Sequence, residues 1–156
     1  MAKAQYRKVN TLSVADKAYI AGIIDGEGTV TLTTKQKGGT EHLSVTVSNT
    51  ELPLLKYLLK VIGAGRITNK RAYKAHHSLS YTYGVFNRQA LDLLEQVYPY
   101  LRTYKSKRAK LVIEQYVAVT VRNGRYTSAQ SKKRKRFVKK FFLILPNTKK
   151  AIPVLE

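Results

Sequence analysis

Ile20-Ala21-Gly22-Ile23-Ile24-Asp25-Gly26-Glu27-Gly28, running directly into Thr29-Val30-Thr31-Leu32-Thr33-Thr34-Lys35, sets the end of an apolar helix against the start of a Thr-rich strand. Upstream, Ser13 with Asp16 three residues on has the spacing of a helix N-cap, which predicts a helix through about Asp25 closed by Gly26 and Gly28. Downstream, the alternation of apolar and hydroxylated residues predicts a half-buried strand with Val30 and Leu32 inward. Asp25 and Glu27 therefore fall at the carboxyl end of the helix, where the backbone dipole is already negative and each added acid costs about 0.3–1 kcal/mol. Such a pair calls for a cationic partner, either a divalent metal ion or a basic side chain.

The same helix predicts an association. Ala18, Gly22 and Gly26 recur every fourth residue, with Ala21 and Asp25 beside them, so one stripe of its surface has almost no side chains and a second backbone can come close. No other copy of the glycine string occurs in the chain. The economical partner is the same helix of a second subunit across a two-fold axis, which would set two Glu27 carboxylates side by side.

Working outward, Gly38-Gly39 turns the chain, and residues 42–48 repeat the alternation with Leu43, Val45 and Val47 facing the core. Asn49-Thr50 is expected to cap a second helix, apolar at Leu52, Leu55, Leu58, Leu59 and Ile62 and stopped by Gly63-Ala64-Gly65. Residues 66–70 and 78–83 read as a second strand pair. Asn87 is expected to cap a third helix, apolar at Leu91, Leu94, Val97 and Tyr98, ending near Pro99. Helices over residues 106–121 and about 131–145 complete an α+β order of αββαββα plus two C-terminal helices. The whole chain reads as one domain with a core over about residues 13–121.

The outward strand positions, Thr31, Thr33, Lys35, Ser44, Thr46, Ser48, Arg66, Thr68, Lys70, Ser80 and Thr82, carry hydroxyls and cations without an acid. An ordinary solvated strand face would mix in Glu. Hydroxyls and cations suit base edges and phosphates, and Lys37, His42 and Lys107 extend the same chemistry. Tyr81 and Tyr83 are expected in the core beside Leu79, and Tyr73 is given no role.

The composition points the same way. There are 29 Lys or Arg against nine Asp or Glu, a formal net charge of +20, and residues 102–150 hold 16 of the cations against one acid, Glu114. Such an imbalance implies a polyanionic partner held through phosphates, nucleic acid first, with an anionic membrane surface as the rival. Cysteine is absent, which excludes disulfides, thiolate metal sites and thiol nucleophiles. The first ten residues show no apolar leader and no run is long enough to span a bilayer, so a soluble intracellular protein is expected. The adjacent His76 and His77 diverge on a strand or turn and suit phosphate or solvent better than a metal. Within Lys132–Arg136 and its flank, Phe137, Phe141 and Phe142 are expected to pack while the cations face out.

The nonapeptide from Ile20 to Gly28 closely resembles the signature of the LAGLIDADG homing endonucleases. The likeness continues through Val47-Ser48-Asn49-Thr50-Glu51, Ile62-Gly63-Ala64-Gly65-Arg66-Ile67 and the stretch from Pro99 to Lys105, spanning roughly residues 14–120. The resemblance implies a saddle-shaped homodimer whose antiparallel sheets lie in the major groove of a long pseudo-palindromic double-stranded DNA site and cut both strands. It implies Glu27 and the Gly26 carbonyl as ligands of Mg2+, with Mn2+ able to substitute, and a structural role for Asp25. Asn49 stands where the family often has Gln ordering water, and Lys105 matches the basic residue near the scissile phosphate, with Lys107 its competitor. Position 27 carries Glu where Asp is usual, and Lys105 requires a one-residue insertion. Intron or intein mobility is the implied biology. The alternatives are an intron-RNA-binding maturase or a DNA-binding regulator of the same fold without cleavage.

Overall fold

The computed structural model describes residues 8–70, 79–122 and 124–146. Its elements run α1 (Val14–Glu27), β1 (Gly28–Thr33), β2 (His42–Asn49), α2 (Leu52–Ile62), β3 (Arg66–Lys70), β4 (Ser80–Phe86), α3 (Asn87–Val97), a 3₁₀ turn (Tyr98–Tyr100), α4 (Tyr104–Val119) and α5 (Ser128–Leu143). The αββαββα order with two further helices is therefore present. The sheet is antiparallel throughout in the order β1-β2-β4-β3, so two hairpins meet along β2 and β4. No helix among the described residues is long and apolar enough to cross a membrane.

Period-two alternation turns Val30, Leu32, Leu43, Val45, Val47, Tyr83 and Val85 onto one face, where all are buried. Helical spacing supplies the opposing layer: Ile20 and Ile24 from α1, Leu55, Leu58 and Ile62 from α2, Leu91, Leu94 and Val97 from α3, Val112 and Tyr116 from α4, and Phe137 and Phe141 from α5. Two buried tyrosine hydroxyls are paired. The Tyr116 hydroxyl accepts from the Leu43 amide at 3.3 Å and donates to Asn87 Oδ1 at 3.3 Å, and the Tyr83 hydroxyl donates to the Ala64 carbonyl at 2.7 Å.

Several boundaries differ from the sequence reading, each for a local reason. Ser13 caps α1 by accepting from the Asp16 amide, as expected, but the helix continues through Gly26 and Glu27 to a C-cap at Gly28. β1 ends at Thr33, which leaves Lys35 in the connecting loop with Lys37 rather than on the strand face. Asn49 does not cap α2; its Oδ1 accepts from the Glu51 amide at 2.8 Å in a local turn, and the helix opens at Leu52 with Pro53 in its first turn. β4 runs on to Phe86, and Asn87 is the first residue of α3 with a positive φ of 53°, not its cap. Asn is among the residues that tolerate that region. α4 starts at Tyr104 because Thr103 caps it, and α5 starts at Ser128 because Thr127 and Gln130 form a capping box. Phe142 is 44% exposed and Leu79 is 61% exposed, so neither joins the core as expected. Tyr73, His76, His77 and Ser78 lie outside the described residues.

Candidate active site and nucleic-acid interface

The question posed by two acids at a helix carboxyl end has an answer inside the chain. Asp25 accepts from the Arg102 amide at 2.7 Å, the Thr103 amide at 3.3 Å and the Thr103 hydroxyl at 2.6 Å. These donors lie at the amino end of α4, so the negative end of one helix meets the positive end of another through a carboxylate. Lys105, in the first turn of α4, completes the joint by donating from Nζ to the carbonyls of Ile24 at 2.8 Å and Asp25 at 2.9 Å. Those carbonyls belong to the terminal turn of α1, where helical donors run out; the Ile24 carbonyl already accepts from the Gly28 amide, so Lys105 adds a second bond to it. Burial lowers the Lys105 pKa, opposed by the nearby charges of Asp25 and Glu27. Replacing Asp25 with Ala should destabilise the fold by about 2–3 kcal/mol, since two amides and a hydroxyl lose a charged acceptor. Urea unfolding read by circular dichroism measures this; a change below the error of the method would remove the joint as a stabilising element.

Glu27 is different. It is the last residue of α1, exposed, and its carboxylate makes no hydrogen bond or ion pair among the described residues. Gly28 pairs with Val47 across the β1–β2 ladder and β2 ends at Asn49, so Asn49 and Glu27 occupy the same end of the sheet. The carbonyl of Gly26 lies in the same terminal turn. Lys107 is exposed on α4, whereas Lys105 is buried and occupied.

From that end the outer face of the sheet extends without an acid anywhere in its four strands. Thr33, Arg66 and Thr68 are exposed, while Thr31, His42, Thr46, Ser48, Ser80 and Thr82 are partly exposed. Lys70 is the last residue of β3. Ser48 and Thr82 share a hydrogen bond of 2.8 Å, and Thr68 donates to the Thr82 carbonyl at 3.4 Å, so part of the hydroxyl array is already oriented. Ser44 departs from expectation. It pairs with Thr31 on one side and Phe86 on the other and is only 2% exposed, because β4 carries an aromatic residue opposite it.

The small-residue stripe divides. Gly22, Gly26 and Ala18 are exposed, and a Cβ added at Gly22 or Gly26 would meet nothing within 4 Å. Ala21 is fully buried in the chain's own core and is not available to a second subunit. The Asp25 carboxylate is likewise used within the chain. Gly28 is required internally, since a Cβ there would come within 2.7 Å of Ile24 Cα.

Two buried arginines escaped the sequence reading. Arg108 donates to the Val30 carbonyl at 2.9 Å and the Ile144 carbonyl at 3.1 Å, and its guanidinium lies 4.8 Å from the Phe141 ring centre. Arg134 donates to the Glu41 and Val119 carbonyls and the Tyr126 hydroxyl and sits 3.7 Å from the Glu41 carboxylate. The signal was present: Arg108 stands at core spacing with Val112 and Lys105, and Arg134 with Phe137 and Phe141. A cavity of about 660 Å³ opens beside Arg134, lined also by His42, Phe86, Arg88 and Tyr126. Arg88 is turned onto the Thr120 hydroxyl at 2.9 Å and Arg134 onto the Val119 carbonyl, so these two arginines brace the helices beside the cavity.

No family model matches the chain, and no curated protein matches it by sequence. Solved structures do match. A crystal structure of the homing endonuclease I-CvuI in complex with its target, in the presence of Ca, superposes with a TM-score of 0.62 at 20% identity, covering 88% of this chain and 87% of that one. The archaeal intron-encoded homing endonuclease I-Vdi141I complexed with DNA gives 0.56 at 13% identity over 88% and 89%. The LAGLIDADG homing endonuclease I-GzeII in complex with a DNA target gives 0.56 at 16% identity over 83% of this chain but 45% of its own. Agreement at this length, on helices packed against an open four-stranded antiparallel sheet, gives the chain the fold of the LAGLIDADG homing endonucleases.

Proposed function

We propose that two copies of the chain form a Mg2+-dependent, site-specific DNA endonuclease that cuts both strands of a long pseudo-palindromic site and thereby promotes mobility of its intron or intein. One observation carries the reading: at the α1 terminus Asp25 and Lys105 are spent on the fold, leaving Glu27 as the exposed acid beside an acid-free basic sheet. The open stripe at Ala18, Gly22 and Gly26 supports a symmetric helix contact that would pair two such acids. The 45% coverage of I-GzeII supports the same two-copy assembly.

The donor set fits a hard divalent ion. The Glu27 carboxylate and Gly26 carbonyl are oxygens, which Mg2+ and Mn2+ favour, and among the described residues no three His, Cys, Asp or Glu side chains are clustered so that they could hold a metal ion by themselves, so phosphate and water would complete the shell. When bound, the ion supplies Lewis-acid stabilisation of the phosphorane-like charge and the departing 3′ oxygen. Glu27 holds the negative end of that arrangement against the scissile backbone. Asn49 orients water from the neighbouring strand end, Lys105 contributes fixed positive charge from behind the helix, and exposed Lys107 meets phosphate. The sheet hydroxyls and Arg66 face the major groove.

The test joins the sequences that flank the insertion into one duplex and assays cleavage with and without Mg2+. Cutting that depends on the metal is expected. Tight, selective binding with no cutting would discard the nuclease, and preference for intron RNA over duplex at equal salt would favour the maturase. Affinity for the duplex should fall steeply with salt, by roughly 10³-fold or more between about 50 and 200 mM if six or more phosphates are neutralised. A gel-shift or anisotropy titration across salt reads that slope, and a flat profile would remove phosphate contacts as the basis of binding.

A further inference from the structure

On the outer face of the sheet one side chain is held differently from the rest. Thr29, Thr46, Gly84 and Arg66 form a row across β1, β2, β4 and β3, and Gly84 leaves a gap in that row. The Phe86 ring fills it: a Cβ at Gly84 would lie 2.8 Å from Phe86 Cζ and 3.5 Å from the Thr46 methyl. The Arg66 guanidinium lies over that ring, 5.0 Å from its centre. Arg66 is exposed and forms no salt bridge among the described residues, which fits the absence of acids from these strands.

We infer that Phe86 is a positioning residue that presents Arg66 as a guanine reader, a role that rests on the DNA-binding reading above. The argument has three steps. A long arginine on an open sheet samples many rotamers, and stacking on an aromatic face removes that freedom before binding while leaving the donor fork available at its edge. A planar fork at the major groove matches the O6 and N7 acceptors of guanine in a bidentate contact, which no other base edge offers. Gly84 makes the arrangement possible, since any larger residue there displaces the ring. In a two-fold dimer the contact would recur once per half-site, in the strand row that begins with Thr29, two residues after Glu27.

The two roles separate by experiment. Wild type, Arg66→Ala, Phe86→Leu and Gly84→Ala are each used to select duplexes from a randomised library, with binding to the best wild-type sequence and to its single-base substitutions then measured at fixed salt. Wild type should demand guanine at one mirrored pair of positions. Arg66→Ala should lose that demand, by roughly ten- to a hundredfold in discrimination, with other positions unchanged. Phe86→Leu and Gly84→Ala should weaken it by about two- to fivefold at the same positions, which a merely structural role would not do. Uniform loss across all sequences in Arg66→Ala marks a phosphate contact and overturns the inference, as does an unchanged profile in both Phe86→Leu and Gly84→Ala. A wild type that selects no sequence overturns the site-specific reading and this inference together. Thermal melts of each variant verify that the compared proteins are folded.

Discussion

Glu27→Gln should lose DNA cleavage by roughly 10³-fold or more while binding the same duplex within a few-fold of wild type. The substitution is isosteric, and the carboxylate it replaces makes no hydrogen bond or ion pair among the described residues, so no fold contact is removed. What disappears is the negative charge proposed to hold a divalent ion at the α1 terminus. Removing an acid from beside phosphates also relieves a repulsion, so binding should not weaken. Single-turnover linearisation of a plasmid carrying the site, beside a gel shift at matched salt, measures both quantities. Undiminished cutting by Glu27→Gln would move the chemistry to another residue.

Gly22→Gln tests the assembly. Gly in a helix interior is less favourable than ordinary helix formers by roughly 0.5–1 kcal/mol. Nothing within the chain asks for it at Gly22, where a Cβ meets only open space. The isolated protein should therefore gain about 0.5 kcal/mol or more in urea unfolding. If the stripe is a two-fold seam, the same side chain would wedge two helices apart, and double-strand cutting should fall at least about a hundredfold as the paired Glu27 sites separate. Sedimentation with bound duplex should then show one copy where wild type shows two. A variant that is more stable, still two copies per duplex and still active would place the seam elsewhere. Gly28→Ala is the contrasting control, because its Cβ would press on the backbone of Ile24 and the cost falls on folding itself.

The chemistry near the helix end was only partly legible. The sequence showed that acids at Asp25 and Glu27 needed a cationic partner, but it could not apportion them between metal and protein. The three-dimensional joint does so for Asp25, by bringing residues 102 and 103 to it across 77 and 78 positions of chain. The same joint buries Lys105, which a reading by motif order treats as available. Alternation gives Ser44 the outward phase correctly, yet Phe86 beside it removes it from solvent; strand phase fixes direction, and neighbours fix exposure. Ala21 matches the glycines in size, but its position on the helix buries it fully in the core.

By itself the sequence determined the element order, the inward faces of both hairpins, the N-cap at Ser13 and the resemblance to the LAGLIDADG endonucleases, because each is written in local periodicity, capping chemistry and contiguous motifs. Only the tertiary structure decided the sheet order with β2 and β4 at the centre, the clasp of α1 by α4, the burial of Arg108 and Arg134, and the stacking of Arg66 on Phe86. Those outcomes depend on which distant groups come within a few ångströms of one another, and short-range patterns along a chain carry no information about that distance.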